Sequence, residues 1–221
     1  MNGIALGPWA RLLAAKALAV VIALGLSRAA EAPRSGNGAF EWTVVDGWRQ
    51  ETIPFPLEFA PGLPFSGLEE IRFAPGMFKP DADGYWSYAF AWWLEDRPTL
   101  GAAELESSLR RYFAGLIGAV GKEKGFAIDP ARFSASMHAA DRPPAKLGHP
   151  VQAFAGTVHS YDAFTTGKPI VLNLEAWVWD CAVAGKRAAI VLASPRATSD
   201  PIWKSLRARR DEFHCHRGPG E

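Results

Sequence analysis

Residues 85–93 read YWSYAFAWW, the densest aromatic stretch of the chain. Trp86, Tyr88, Phe90 and Trp92 fall on one parity, with Ser87, Ala89 and Ala91 between them. Period two is the side-chain repeat of a β-strand, so this row predicts a strand with one broad aromatic face. An amphipathic helix is predicted a few residues later. From Leu105, apolar residues recur at Leu109, Tyr112, Phe113, Leu116, Ile117 and Val120, with Thr99 and Gly121 as caps. Such a helix needs an apolar surface to cover, and the aromatic row offers the widest one. That row is therefore expected to be core. On its other side, Ser87, Ala89 and Ala91 are expected to leave a shallow trough ending at Trp93.

The period-two pattern extends in both directions. Upstream, Ile53, Phe55, Leu57 and Phe59 alternate with Thr52, Pro54, Pro56 and Glu58. Prolines cannot donate to a ladder, so this is an edge strand. Leu68 to Ala74 alternates next, and Lys79 to Tyr85 supplies a turn. Asp81-Ala82-Asp83-Gly84 opens like an EF-hand loop, but its twelfth position is Trp92, where a glutamate is required. A β-turn accounts for it. Downstream of the helix lie four more strand-like segments: Phe133 to His138, Val151 to Asp162, Ile170 to Cys181 and Ala188 to Ser194. A closing helix starts at Ser199 or Asp200, has Pro201 in its first turn, and buries Ile202, Trp203, Leu206 and Phe213. The order βββαββββα predicts an α+β domain: a single curved, mostly antiparallel sheet of about seven strands with two amphipathic helices.

Near the N-terminus, Arg11 and Lys16 precede an apolar run from Ala17 to Leu26, followed by small residues. This is the layout of a secretory signal peptide over residues 1–32; the apolar run is short for a membrane span. Cleavage after Ala32 or after Ala29 fits a small-x-small site. Residues 33–40 read as a flexible leader, 41–216 as the α+β domain and 217–221 as a disordered tail. The membrane is expected to matter only during export, which places the mature protein in the periplasm or outside the cell. The chain has 221 residues and a formal net charge of +1, which argues against nucleic acid as a partner. The expected partner is an unidentified small molecule or envelope protein.

The closing strand, short connection and helix (IVLASPRATSDPIWKSLRARRDEFH, residues 190–214) resemble the C-terminal end of PsbP-like domains. Residues 51–78, ETIPFPLEFAPGLPFSGLEEIRFAPGMF, resemble secreted bacterial proteins of unassigned activity. Neither resemblance implies a reaction.

No P-loop, dinucleotide fingerprint, nucleophile elbow or zincin helix is present, and no catalytic residue or cofactor is assigned. Three groups of residues remain. The first is the polar parity of the sheet: Glu58, Glu70, Arg72, Arg132, Ser134, Ser136, His138, Asn173 and Glu175, joined by Trp177 and Trp179. With Trp93, these form a candidate ligand-binding face, because tryptophans beside arginine, glutamate and histidine suit an open surface. The alternative is a solvated face whose tryptophans lie under a loop. The second group is Glu175 with His138 or His159, acid/base candidates for an envelope enzyme. The third is Cys181 and Cys215. They can pair in an oxidising compartment or stay free, and His214-Cys215-His216 contains metal-ligating residue types without the spacing of a closed site. No metal is assigned.

Overall fold

Tyr88, Phe90 and Trp92 of the aromatic row lie on an inner strand of the sheet, whereas Trp86 precedes that strand in a turn, with a φ of 49°. A computed structural model describes residues 39–140 and 151–216. The expected signal peptide, most of the leader and the 217–221 tail lie outside the described residues. Strands β1 (Phe40–Trp42), β2 (Arg49–Pro54), β3 (Gly67–Phe73) and β4 (Tyr88–Leu94) precede helix α1 (Ala102–Glu123). After it come β5 (Ser134–Ala139), β6 (Gln152–Tyr161), β7 (Pro169–Cys181), β8 (Lys186–Ser194), helix α2 (Pro201–Asp211) and β9 (Phe213–Cys215). Phe40, expected as the last leader residue, is buried in β1.

Seven strands form an antiparallel sheet in the order β2-β3-β4-β8-β7-β6-β5. The fold is α+β, as the pattern predicts. The chain builds one side by hairpins from β2 to β4, crosses through α1 to the far edge, and returns strand by strand until β8 closes against β4. β2 is an edge strand ending at Pro54, shorter than the alternation through Phe59 suggests. Gly67 lets β3 start close to β4: a Cβ there would sit 2.0 Å from the Trp93 carbonyl oxygen.

One sheet face meets α1. Leu105, Leu109, Tyr112, Phe113 and Ile117 bury against Tyr88, Phe90 and Trp92, and the Phe90 and Tyr112 rings stack at 5.1 Å. Burial of each such side chain contributes roughly 1.5–3 kcal/mol. The helix starts at Ala102 rather than after Thr99, with Glu104 Oε2 accepting from the Gly101 N–H at 3.0 Å. It continues past the expected Gly121 cap to Glu123.

The opposite face is also covered over much of its width. β9 pairs with β1 in a small second sheet, and these strands and α2 lay Trp42, Trp203 and Phe213 onto Ala89, Ala91, Trp93, Ile190 and Leu192. The expected trough is thus filled: Ala89 and Ala91 are small because bulky rings pack above them. Phe213 is not on the closing helix, which ends at Asp211; it begins β9 opposite Trp42.

Candidate functional site

A cross-strand row shows where the polar parity goes. Arg72, Ala89, Leu192, Glu175, Ala155 and His138 lie side by side from β3 to β5. At the β3 end the row is sealed. Arg72 is fully buried; it donates to Glu70 Oε2 at 2.9 Å and to the Trp42 carbonyl at 2.6 Å, with its guanidinium 4.4 Å from the Trp42 ring. Burial lowers the Arg72 pKa and Glu70 opposes that shift. This network ties β1 to the sheet.

The tryptophans expected on an open surface are core. Trp93, Trp177 and Trp179 are 2%, 3% and 3% exposed. Trp93 lies 5.0 Å from Phe40, and Trp179 meets Phe213 edge-on at 5.7 Å. Trp177 lies beneath the Arg210 guanidinium at 4.3 Å. Glu175 is buried and accepts two bonds from Arg207, at 2.6 and 3.0 Å. The polar parity is not one open face but a divided one. The physical reason is the second apolar layer, which gives these rings a dry contact.

The cover thins beyond β7. α2 packs on β8, β4 and β9. On the same sheet face, Ser134, Ser136 and His138 on β5 and His159 on β6 are exposed, while Ala155 and Thr157 on β6 are half-buried. These six residues form a shelf of hydroxyl and imidazole groups over a small-residue floor. The Glu175–Arg207 ion pair borders it. Arg132 stands at its end, exposed on the turn before β5 and 3.7 Å from Asp129. Of the expected ligand-binding residues, the shelf keeps His138 and Arg132; Glu175 forms its border.

The outer edge of β5 is partly blocked. Glu106 of α1 accepts from the Met137 N–H at 3.1 Å, occupying a donor that an added strand would need. The acid/base pairs do not assemble. β6 separates His138 from Glu175, so their strands are about 9–10 Å apart. His159 lies beside Val171, four positions along β7 from Glu175.

A cluster on the α1 face escaped the sequence reading. Glu69 shares parity with Ile71 and Phe73 and is fully buried between β3 and α1. Trp92 Nε1 donates to its Oε1 at 3.2 Å, and the Tyr112 hydroxyl also bonds the carboxyl. Burial pushes the Glu69 pKa up to about 8; those two bonds pull it down, and nearby Glu51 raises it further. Glu51, diagonal to it on β2 and half-buried, is raised by burial to about 7 against the pull of Arg49. The Tyr88 hydroxyl is buried with no hydrogen-bond partner among the described residues. The chemistry available here is proton binding near neutrality inside a closed aromatic core. The signal was parity: Glu69 and Glu51 each fall on the apolar phase of their strand.

At the C-terminus, strand alternation separates the candidate ligands. His214 and His216 are exposed, and His216 Nε2 lies 3.5 Å from Glu41. Cys215 points inward to a hydrogen-bonding contact with the Cys181 thiol. Both cysteines are free.

The chain matches no protein-family model and no curated protein. Among solved structures it is similar to cyanobacterial PsbP (CyanoP) from Synechocystis sp. PCC 6803, determined in solution, at 12% identity. The match covers 87% of this chain and 99% of that one, with a TM-score of 0.41. The resemblance to PsbP is weak. No helix among the described residues is long and apolar enough to cross a membrane.

Proposed function

We propose that this chain is a secreted or periplasmic, non-enzymatic binding or accessory domain that engages a polar small molecule or envelope protein through the β5–β6 shelf. The observation that carries the reading is the asymmetric cover of the second face. α2 and the β1–β9 pair bury the tryptophan-rich half, and the adjoining half keeps Ser134, Ser136, His138 and His159 exposed. A partner laid on this strip would meet donors and acceptors held on a rigid sheet, which lowers the ordering cost of binding. Glu106 on the β5 edge favours docking on the face over strand addition. The near-neutral charge supports a partner other than nucleic acid. The signal-peptide layout supports export, with the membrane involved only at that step.

Thermal-shift measurements against monosaccharides, amino acids and short acidic or basic peptides test the reading. A compound that stabilises the native chain and loses its effect in Thr157→Arg, which blocks the shelf, supports it. Stabilisation that survives in Thr157→Arg assigns binding elsewhere and contradicts it.

A further inference from the structure

We infer that Cys181 and Cys215 form an intramolecular disulfide that staples the β1–β9 pair to the end of β7. The two cysteines close their strands, Cys181 at the end of β7 and Cys215 at the end of β9. Two residues earlier on each strand, Trp179 and Phe213 are in ring contact at 5.7 Å. One further side-chain repeat along both strands brings the thiols together, and they meet within hydrogen-bonding contact. β9 is held in that place from its other side. Cys215 pairs with Phe40, and the His216 N–H donates to the Ala39 carbonyl at 2.8 Å. A bond between the sulfurs therefore joins elements that are already docked.

The oxidant is a low-molecular-weight or protein disulfide. Cys215 is half-buried and Cys181 fully buried, so Cys215 is the entry point. Its thiolate attacks the oxidant's disulfide, forms a mixed disulfide and releases one thiol. The Cys181 thiolate then attacks Cys215 Sγ and expels the second thiol. The two cysteine thiols lose two protons and two electrons; the oxidant is reduced to two thiols. Burial pushes the Cys215 thiol up to about 12, and the neighbouring Cys181 thiol adds to the rise. Thiolate is scarce in the folded chain, so oxidation at neutral pH is slow; once the bond is made, burial of Cys181 restricts attack on its sulfur and the Cys215 thiolate is a poor leaving group.

The test uses the purified protein, independently of any shelf partner or of cellular location. The reduced chain is incubated with oxidised glutathione at pH 8.5 until its mass no longer changes, blocked with N-ethylmaleimide in denaturant and weighed intact. The expected product is monomeric, two hydrogens lighter than the reduced chain and unalkylated, with a Tm higher by about 5–10 °C. Cys181→Ser should instead stop at a glutathione adduct on Cys215. If Cys181→Ser fails to fold, Cys215→Ser serves as the partner control and should show no Tm response to oxidant. Two alkylated thiols after oxidation, or a disulfide-linked dimer, would overturn the inference.

Discussion

Glu69 holds its proton in the folded domain to about pH 8, whereas an unperturbed glutamate releases it near 4.5. Between those values the folded state binds one proton more than the unfolded state. Stability therefore falls as pH rises through this window, by up to about 1.4 kcal/mol per pH unit. Glu51, raised to about 7, acts in the same direction. Asp162 acts in the opposite direction. Burial would raise its carboxyl, but bonds from Thr165, Thr166, Tyr85 and Trp86 outweigh it and hold the pKa well below the usual range. Its contribution is present above the unfolded value of 3.8 and is lost on acidification. Maximum stability is expected at about pH 4, between the unfolded values of the aspartate and the two glutamates. Urea titrations at pH 5.5 and 8.5 should show Glu69→Gln flattening the alkaline decline and gaining stability at the higher pH. An unchanged slope would mean that Glu69 titrates normally. Arg72 is the second decisive residue. Arg72→Ala leaves Glu70 without its guanidinium and should cost about 3–5 kcal/mol by the same titrations. A loss under 1 kcal/mol would contradict a buried pair.

The second apolar layer decides the behaviour of α2 and the β1–β9 pair. Trp203, on the inner face of α2, is fully buried, so Trp203→Ala should cost about 3–5 kcal/mol. Trp177→Ala combined with Trp179→Ala should lower Tm steeply or abolish the transition; a native Tm would place those rings in solvent. The first face was legible from sequence because Tyr88, Phe90 and Trp92 and the α1 stripe each repeat over several turns or pleats. The cover of the second face was not. β1 and β9 are three residues each, too short for a period, and they pair across nearly the whole domain. Phe213, at helical spacing from Leu206, read as helix because nothing local marks the break at Glu212. Glu69 was hidden differently. Its parity was plain, yet a carboxylate on an apolar phase reads as a solvated neighbour until Trp92 and Tyr112 are seen to bond it.

For the molecule as a whole, export and binding are separate questions. Expression of the full chain in a bacterial host should deliver a periplasmic product whose N-terminal residue is Pro33 or Ala30. An uncleaved product retained in the cytoplasm would contradict export and leave the shelf untouched. Binding at the shelf requires the second face to be divided between the cover over β4, β8 and β7 and the open strip on β5 and β6. Hydroxyl-radical footprinting with residue-resolved mass spectrometry tests that division most directly. Fast labelling of His138 and His159 is expected, with strong protection of Trp42, Trp177, Trp179 and Trp203. Labelling of Trp177 and Trp179 at the rate of the two histidines would contradict that division.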